Sequence, residues 1–209
     1  MKPKLLHFLL VVFLFPLLVS CAPEVEGTLN KKASYELIER VVPDYADLFE
    51  VEYLPKEGEA DIFELEQCGD KIVLRGNNGV SVASALNYYL KNYAHCEYSW
   101  NASNLKFPDP VPTVPEKVRK ETPYQYRHYF NYCTFNYTSS WWDWDRWQFE
   151  IDYMALHGIN MPLAMTGQNA VWDRVYRKLG FSDEDMDKFF TGPAYFMLSL
   201  IHISEPTRH

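Results

Sequence analysis

The sequence predicts an α+β N-terminal domain followed by the first two βα units of a truncated (β/α)8 barrel of the TIM type. Three observations support this fold class: mixed strand and helix periodicities before residue 100, a proline-rich stretch after it, and a strand–helix–strand pattern over residues 126–168. Strands that alternate with helices are typical of parallel α/β folds. A complete barrel takes about 250 residues, so residues 124–197 hold only its start.

The strand–helix–strand pattern is the most informative part of the chain. Residues 129–136 alternate between two sets of side chains, the period of two that marks a strand. A helix is predicted next, because apolar side chains recur at helical spacing at Trp144, Trp147, Ile151, Met154 and Ala155. Gly158 fits the left-handed position just past a helix end. Residues 159–165 are a short apolar run, which predicts a second strand buried on both faces.

The α+β domain is predicted over residues 31–100. Helices are expected over residues 33–42 and 80–93, and strands over residues 49–54, 61–67, 71–75 and 97–100. Residues 76–79 read Gly-Asn-Asn-Gly just before the second helix. Gly-rich turns before helices can hold phosphate, but this one lacks the spacing of either nucleotide-binding fingerprint. We therefore expect a plain helix-entry turn.

Residues 101–123 are predicted to be a linker. They favour extended chain because they contain Pro108, Pro110, Pro112, Pro115 and Pro123. After residue 167 the sequence predicts another amphipathic helix, which Gly180 ends. Ser182, followed by Asp185 three residues later, is typical of the start of a further short helix.

The N-terminus is predicted to be a lipoprotein signal peptide, residues 1–20. Lys2 and Lys4 precede an apolar stretch, which closes with Leu-Val-Ser before Cys21 in a pattern that resembles the bacterial lipobox. Cys21 is then the lipidated first residue of the mature chain, and residues 21–30 are a polar tether. This predicts an exported protein of the bacterial cell envelope, held at the membrane by its lipid anchor only. An ordinary secretory cleavage site is the alternative.

Composition excludes some partners. A chain with net charge −8 and no basic stripe is a poor binder of nucleic acid, so no nucleic-acid partner is expected. The six histidines show no metal-ligand spacing, and neither a metal nor a cofactor is expected. Beyond Cys21, three cysteines remain, which argues against a full disulfide framework. The sequence leaves open whether Cys68 and Cys96 pair.

Five short motifs follow in order between residues 131 and 194. They are Asn-Tyr-Cys-Thr at 131–134, Trp-Trp-Asp-Trp at 141–144, Met-Ala-Leu-His-Gly-Ile-Asn at 154–160, Gly-Gln at 167–168 and Phe-Thr-Gly-Pro-Ala at 190–194. Together they resemble the start of the catalytic barrel of the α-N-acetylglucosaminidases, glycoside hydrolase family 89. Residues 31–100 resemble the domain that precedes the barrel in this and several other hexosaminidase families. The chain departs from the family at Asn169, usually Glu, and at His157, often Asn; neither departure removes a catalytic group.

Residues 198–209 do not resemble the corresponding part of this family. They read like the translation of a transposase adapter used in sequencing libraries, whereas the family continues here as barrel. We expect the natural reading frame to end near Met197 and the rest to be an assembly artefact. A genuine divergent tail is the alternative.

The resemblance implies a set of substrate-binding residues. It places Asn131 and Cys133 in the pocket that binds a terminal N-acetylglucosamine. There the Asn131 amide is expected to form hydrogen bonds with sugar hydroxyls, and the Cys133 thiol is expected to pack against the sugar. Residues two apart on a strand share a face, so the two are expected to point into the barrel together. Met165 and Gln168 follow the second strand and are expected to line the same mouth. The alternative is that Asn131 and Cys133 are core residues, and Trp141 and Trp142 fit either rim or core.

The reaction implied by the resemblance is retaining hydrolysis of terminal α-linked N-acetylglucosamine from glycans. It uses two carboxylates about 5–5.5 Å apart, which in the family lie on later strands than this chain contains, so no catalytic residue is assigned and the chain is expected to be inactive by itself. Acidic side chains on or beside the first barrel helix are expected to form a solvated face: Asp143, Asp145, Glu150 and Asp152. The competing hypotheses are a non-catalytic glycan-binding surface lipoprotein and an inert secreted scaffold.

Overall fold

The structure is a computed structural model that describes residues 29–131, 134–135, 137–164 and 168–190 of the 209-residue chain. Several predictions lie outside these residues: the signal peptide with Cys21, most of the tether, Cys133, Met165 and residues 198–209. Gln168 begins a described helix, but its side chain is not described.

The described elements follow the predicted order closely. The helices are α1 (Lys31–Val41), α2 (Gly79–Asn92), α3 (Trp144–Leu156), α4 (Gln168–Lys178) and α5 (Asp183–Phe189), with short 3-10 helices at Pro43–Leu48 and Ser139–Trp141. The strands are β1 (Phe49–Tyr53), β2 (Ile62–Cys68), β3 (Lys71–Gly76), β4 (Val118–Glu121), β5 (His128–Tyr129) and β6 (Met161–Pro162). All five helices and the first three strands confirm the sequence prediction to within a few residues.

A four-stranded mixed sheet organises the N-terminal half, in the order β1-β3-β2-β4. β1 runs parallel to β3, while β2 is antiparallel to both β3 and β4. Helices α1 and α2 cover the sheet, and side chains such as Ile38, Leu74, Leu86 and Leu90 form a single apolar core with it. This half is therefore an α+β domain with a core of its own.

The proline-rich stretch lies against this domain. Its last part is β4, which pairs with β2. Phe107 and Val114 are buried in the core, and the Tyr89 hydroxyl donates to the Pro112 carbonyl at 2.7 Å. The extended conformation expected of the prolines is thus used for packing as well as for connection.

Two expectations for the N-terminal half are corrected or resolved. Residues 97–100 are not a strand; a single antiparallel bridge joins Glu97 to Asn104, because the chain turns back on itself between them. Cys68 and Cys96 are both free thiols, the first exposed and the second buried.

The Gly-Asn-Asn-Gly turn is a helix entry, as predicted. The Asn78 side chain caps α2 by accepting from the Ser81 amide at 2.9 Å. The buried Asn77 accepts from the Ile62 amide and from the Ser81 hydroxyl, so this side chain ties the turn to β2. Gly76 is packed so closely that an added Cβ would lie 2.7 Å from the backbone nitrogen of Val82.

Gly76→Ala is expected to lower the free energy of unfolding by about 1–3 kcal/mol, because the new methyl group meets backbone that cannot move away. Gly79→Ala is the matched control, since a Cβ there meets nothing within 4 Å, and its effect is expected to stay within about 0.5 kcal/mol. Urea unfolding of both variants measures the difference. Equal stabilities would contradict the packing described at Gly76.

The second half begins with a strand–helix–strand unit. β5 and β6 pair in parallel, His128 with Met161 and Tyr129 with Pro162, and α3 connects them. Gly158 has φ of 75° just past α3, as predicted. The order and the parallel pairing are those expected of an opening α/β unit.

Both strands of this unit are shorter than predicted. The strand expected over residues 129–136 ends at Tyr129, because Phe130 turns into the left-handed region with φ of 72° and Thr134–Phe135 is helical. The strand expected over residues 159–165 is reduced to Met161–Pro162, and both residues are exposed instead of buried. Within the described part of the chain, no further strand pairs with this sheet, so its two strands lack the neighbouring strands that would hold more residues extended.

The remaining helices confirm their start and stop signals. α5 begins with a complete capping box between Ser182 and Asp185, and Gly180 separates it from α4 with φ of 93°. In the described ranges, no helix combines the length and the apolar character needed to cross a membrane.

Candidate functional site

A shallow groove lies where β5 ends, at the joint between the two halves of the molecule. It is lined by Trp100, His128, Tyr129, Phe130, Asn131 and Thr134. Trp100 comes from the N-terminal domain and the other five follow or form β5. Binding sites of parallel α/β units lie at the carboxyl ends of their strands, and this groove is at the carboxyl end of β5.

Asn131 is the one sequence-predicted site residue whose side chain is described. Its Oδ1 accepts from both the amide and the hydroxyl of Thr134, each at 3.1 Å. Among the described residues, nothing accepts a hydrogen bond from its Nδ2 group, and the residue is exposed. The amide is therefore oriented by Thr134, and its Nδ2 donors meet no acceptor within the described part of the chain.

Asn131 lies beyond the end of β5, because the strand ends at Tyr129 and the backbone turns at Phe130. That Asn131 and Cys133 share a face stays a prediction, since Cys133 lies outside the described residues. The binding roles of Cys133, Met165 and Gln168 concern side chains that lie outside the description. Trp141 is exposed, while Trp142 is half-buried and packs edge-on against Trp147 with ring centroids 4.9 Å apart.

The predicted solvated acidic face on the first barrel helix is wrong for two of its four members. Glu150 is 0% exposed and Asp152 is 3% exposed. Asp143 caps α3 by accepting from the Arg146 amide, and Asp145 is exposed as expected. Glu150 and Asp152 thus face the protein, whereas Trp144 and Ile151 of the predicted apolar stripe are exposed.

Glu150 is the buried centre of the joint. One carboxylate oxygen accepts from Nε1 of Trp100 at 3.1 Å, and the other accepts from Arg146 at 2.9 Å. The Tyr129 hydroxyl lies near this carboxylate and favours its charged form. Burial raises the pKa of Glu150 despite these partners, and burial together with the nearby carboxylate raises the pKa of Tyr129 to about 12. Residues from β5, from α3 and from the N-terminal domain thus all lie around the Glu150 carboxylate.

Arg146 is enclosed by aromatic rings. Its guanidinium carbon lies 4.5 Å from the ring centroids of Trp142 and Phe149 and 5.0 Å from that of Trp100. A cation at this distance is attracted by the negative faces of the rings. Arg146 therefore joins the charge of Glu150 to the aromatic wall behind the groove.

A second buried carboxylate fixes α3 to the N-terminal domain. Asp152 accepts two hydrogen bonds from Arg40 of α1, both at 2.8 Å. Nearby, Tyr98 stacks on Phe149 with ring centroids 4.6 Å apart, and Asn87 of α2 donates to the Leu156 carbonyl at 3.0 Å. A bidentate pair with a buried partner fixes both distance and orientation, so the two halves form one packed unit.

The groove is suited to binding a neutral polar ligand. Its described lining has aromatic faces, a hydroxyl, an imidazole and an amide, but neither a carboxylate nor an ammonium group. The two oxygens of Glu150 are already occupied behind it. In the part of the chain described, no group of three or more His, Cys, Asp or Glu residues is arranged to hold a metal ion. The observed arrangement can stack on and hydrogen-bond a ligand.

Sequence reasoning missed Trp100 and Glu150 as parts of the site. The sequence predicts Trp100 in a short strand and Glu150 on a solvated face, so it indicates neither residue as part of the site. The spacing of Arg146 and Glu150, four residues apart on a helix, is the one local signal that links them.

The buried position of Glu150 predicts a measurable pH effect. A glutamate titrates near pH 4.3 in an unfolded chain, and the pKa of Glu150 in the folded protein lies higher. Between about pH 4.3 and the folded pKa, Glu150 is ionised in the unfolded chain but still protonated in the folded protein. Its contribution to the free energy of unfolding therefore falls as the pH rises through the folded pKa. Glu150→Gln cannot titrate, so its stability relative to the wild type should improve over the same rise. Urea unfolding at a series of pH values measures this difference.

Glu64→Gln is the control, because its stability relative to the wild type is expected to change with pH in the opposite direction. Burial would raise the pKa of Glu64, but hydrogen bonds from Lys117 and Arg119 outweigh it and lower the pKa. The wild type should therefore gain stability over Glu64→Gln as the pH rises towards about 4.3. Parallel pH curves for the wild type and Glu150→Gln would contradict the burial of an ionisable group at Glu150.

Comparison with known proteins defines the class. Residues 32–113 match the model of the alpha-N-acetylglucosaminidase (NAGLU) N-terminal domain, and residues 127–205 match the model of the alpha-N-acetylglucosaminidase (NAGLU) tim-barrel domain. The two matches follow each other in the order of the two packed halves. Both models describe one class of glycosidase.

Two relatives give the same result. Human alpha-N-acetylglucosaminidase is 46% identical over 125 residues, which are 60% of this chain and 17% of the human protein. A family 89 glycoside hydrolase from Clostridium perfringens, solved with 2-acetamido-1,2-dideoxynojirimycin, superposes with a TM-score of 0.72 at 42% identity, over 79% of this chain and 19% of that one. Its variant with two Glu→Gln substitutions was solved with its substrate GlcNAc-α-1,4-galactose and superposes equally well.

The chain belongs to glycoside hydrolase family 89, the α-N-acetylglucosaminidases. It spans less than a fifth of the length of these relatives, 17% of the human protein and 19% of the clostridial one.

Proposed function

We propose that this chain is the N-terminal part of an α-N-acetylglucosaminidase that removes terminal α-linked N-acetylglucosamine from glycans with retention of configuration. The observation that carries the proposal is the pair of family matches, in order, over the two packed halves. It is supported by the clostridial relative, whose substrate is an α-linked N-acetylglucosaminyl disaccharide. We further propose that residues 124–197 begin the TIM-type barrel of this enzyme.

In this proposal the described residues bind the sugar and do not carry out the bond cleavage. Asn131 offers amide donors at the carboxyl end of β5, and the aromatic lining of the groove covers the apolar faces of a sugar ring. Retaining hydrolysis needs a nucleophile and an acid/base about 5–5.5 Å apart. The buried acids of α3 do not fill these roles, because Glu150 is bound to Trp100 and Arg146, and Asp152 is bound to Arg40.

The proposal is tested by comparing the 209-residue chain with the full-length protein encoded by the intact gene. The full-length protein is expected to hydrolyse an aryl α-N-acetylglucosaminide and to leave the β-anomer intact. The 209-residue chain is expected to show no turnover, because a barrel of about 250 residues is needed to bring distant strands together. Product NMR of the first-formed anomer tests retention. Full-length protein that binds the glycan without any turnover would instead favour a glycan-binding lipoprotein.

Asn131→Ala in the full-length protein is expected to lower kcat/KM by about tenfold to a hundredfold. A hydrogen bond lost in a desolvated site costs about 1–3 kcal/mol, and each 1.4 kcal/mol is about a factor of ten. Stability should change little, because the side chain is exposed. Asn92→Ala, at the exposed end of α2, is the control with unchanged kinetics. A destabilised Asn131→Ala variant with normal kcat/KM would assign Asn131 to the core.

We also propose that the protein is exported and lipid-anchored through Cys21, on the strength of the lipobox-like sequence before it. Expression in a bacterium with a labelled fatty acid should label the protein, and Cys21→Ala should abolish the label. An unchanged label would contradict the assignment.

A further inference from the structure

Trp100 stands apart from the other large aromatic residues of the N-terminal domain. Phe49 and Tyr89 are buried in the core, whereas Trp100 is 39% exposed and, among the described aromatic residues of that domain, is the one that lines the groove containing Asn131. Its position brings a residue from outside the second half of the molecule to the carboxyl end of β5.

Three contacts hold the indole in place. Its Nε1 donates to the buried Glu150, the Arg146 guanidinium lies 5.0 Å from its ring centroid, and Trp142 packs edge-on with the two ring centroids 5.7 Å apart. The polar atom of the ring is thus fixed on the protein side. A side chain held in this way loses little freedom when a ligand binds, which favours affinity.

The exposed part of the indole suits a sugar. Aromatic rings in binding sites supply rigid apolar surface, while a few polar groups set the orientation of the ligand. Here Asn131 supplies amide donors that no described residue accepts, and the described lining contains no Asp, Glu, Lys or Arg. A neutral carbohydrate, with an apolar ring face and hydroxyl edges, fits this combination better than an anion or a peptide side chain.

We propose that Trp100 contacts the sugar on the leaving-group side of the scissile bond, and that Glu150 is the residue that positions Trp100 for this contact. The inference rests on the proposed function and deepens it, because it assigns part of the substrate specificity to the N-terminal domain. Asn131 follows β5 and holds the terminal sugar in the proposed function, whereas Trp100 enters the same groove from the neighbouring domain, on the side left for the next sugar.

Two substrates separate this role from a merely structural one. One is GlcNAc-α-1,4-galactose, which carries a leaving-group sugar; the other is α-N-acetylglucosaminyl fluoride, whose leaving group is a single atom. In the full-length protein, Trp100→Ala is expected to raise KM for the disaccharide by about tenfold, the order expected for loss of an aromatic contact. KM and kcat for the fluoride should stay at their wild-type values.

Two further variants test how Trp100 is held. Trp100→Phe keeps an aromatic face but loses the hydrogen bond to Glu150, so it should restore part of the affinity for the disaccharide. Glu150→Gln should raise KM for the disaccharide only, and the double variant Trp100→Ala, Glu150→Gln should have the same KM as Trp100→Ala, since both changes act through one ring.

Tyr98→Ala is the control for lost packing, because Tyr98 is buried at the same joint and does not line the groove. It should lower the melting temperature and leave KM for both substrates unchanged. A normal KM for the disaccharide in Trp100→Ala, or equal losses on both substrates, would overturn the inference while leaving the proposed function standing. Wild-type protein that cleaves neither substrate would overturn the proposed function itself.

Discussion

The carboxylate of Glu150 lies where solvent does not reach it, and its partners come from three different parts of the chain. Removing a charge from water is costly unless hydrogen bonds replace the lost hydration. Hydrogen bonds from Trp100 and Arg146 provide that replacement, with the Tyr129 hydroxyl nearby, and these contacts fix the positions of both donors. The N-terminal domain, the first helix of the second half and the strand that leads to Asn131 therefore depend on one another through this group.

The ion pair between Asp152 and Arg40 gives this arrangement a second point of attachment. The attachments at Glu150 and Asp152 are two residues apart, so they lie on different sides of one turn of α3, and together they define both the position and the rotation of the helix against α1 and α2. This explains why α3 turns acidic residues inward and leaves Trp144 and Ile151 exposed. It also explains why the groove lies at the joint between the two halves. The contacts around Glu150 involve both Tyr129, at the end of β5, and Trp100, so they fix the two sides of the groove together.

Elements that local signals define could be predicted from the sequence. The turn at Gly76–Gly79, the cap at Ser182 and the left-handed Gly158 all depend on neighbouring residues, and the structure confirms them. The strands around Asn131 could not be predicted in length, because strand length depends on partners across the sheet. The burial of Asp152 was missed for a similar reason, since Arg40 lies 112 positions away in sequence. Asn131 was found through the family motif, whereas Trp100 belongs to none of the motifs recognised.

A crystal structure of the full-length protein with GlcNAc-α-1,4-galactose, in a variant that binds but does not cleave it, tests the central claim most directly. The account predicts a terminal sugar oxygen within about 3.2 Å of the Asn131 amide nitrogen and the second sugar within about 4.5 Å of the Trp100 indole. It also predicts that Glu150 keeps its hydrogen bonds to Trp100 and Arg146. A disaccharide bound away from β5, with Trp100 covered by other parts of the protein, would contradict it.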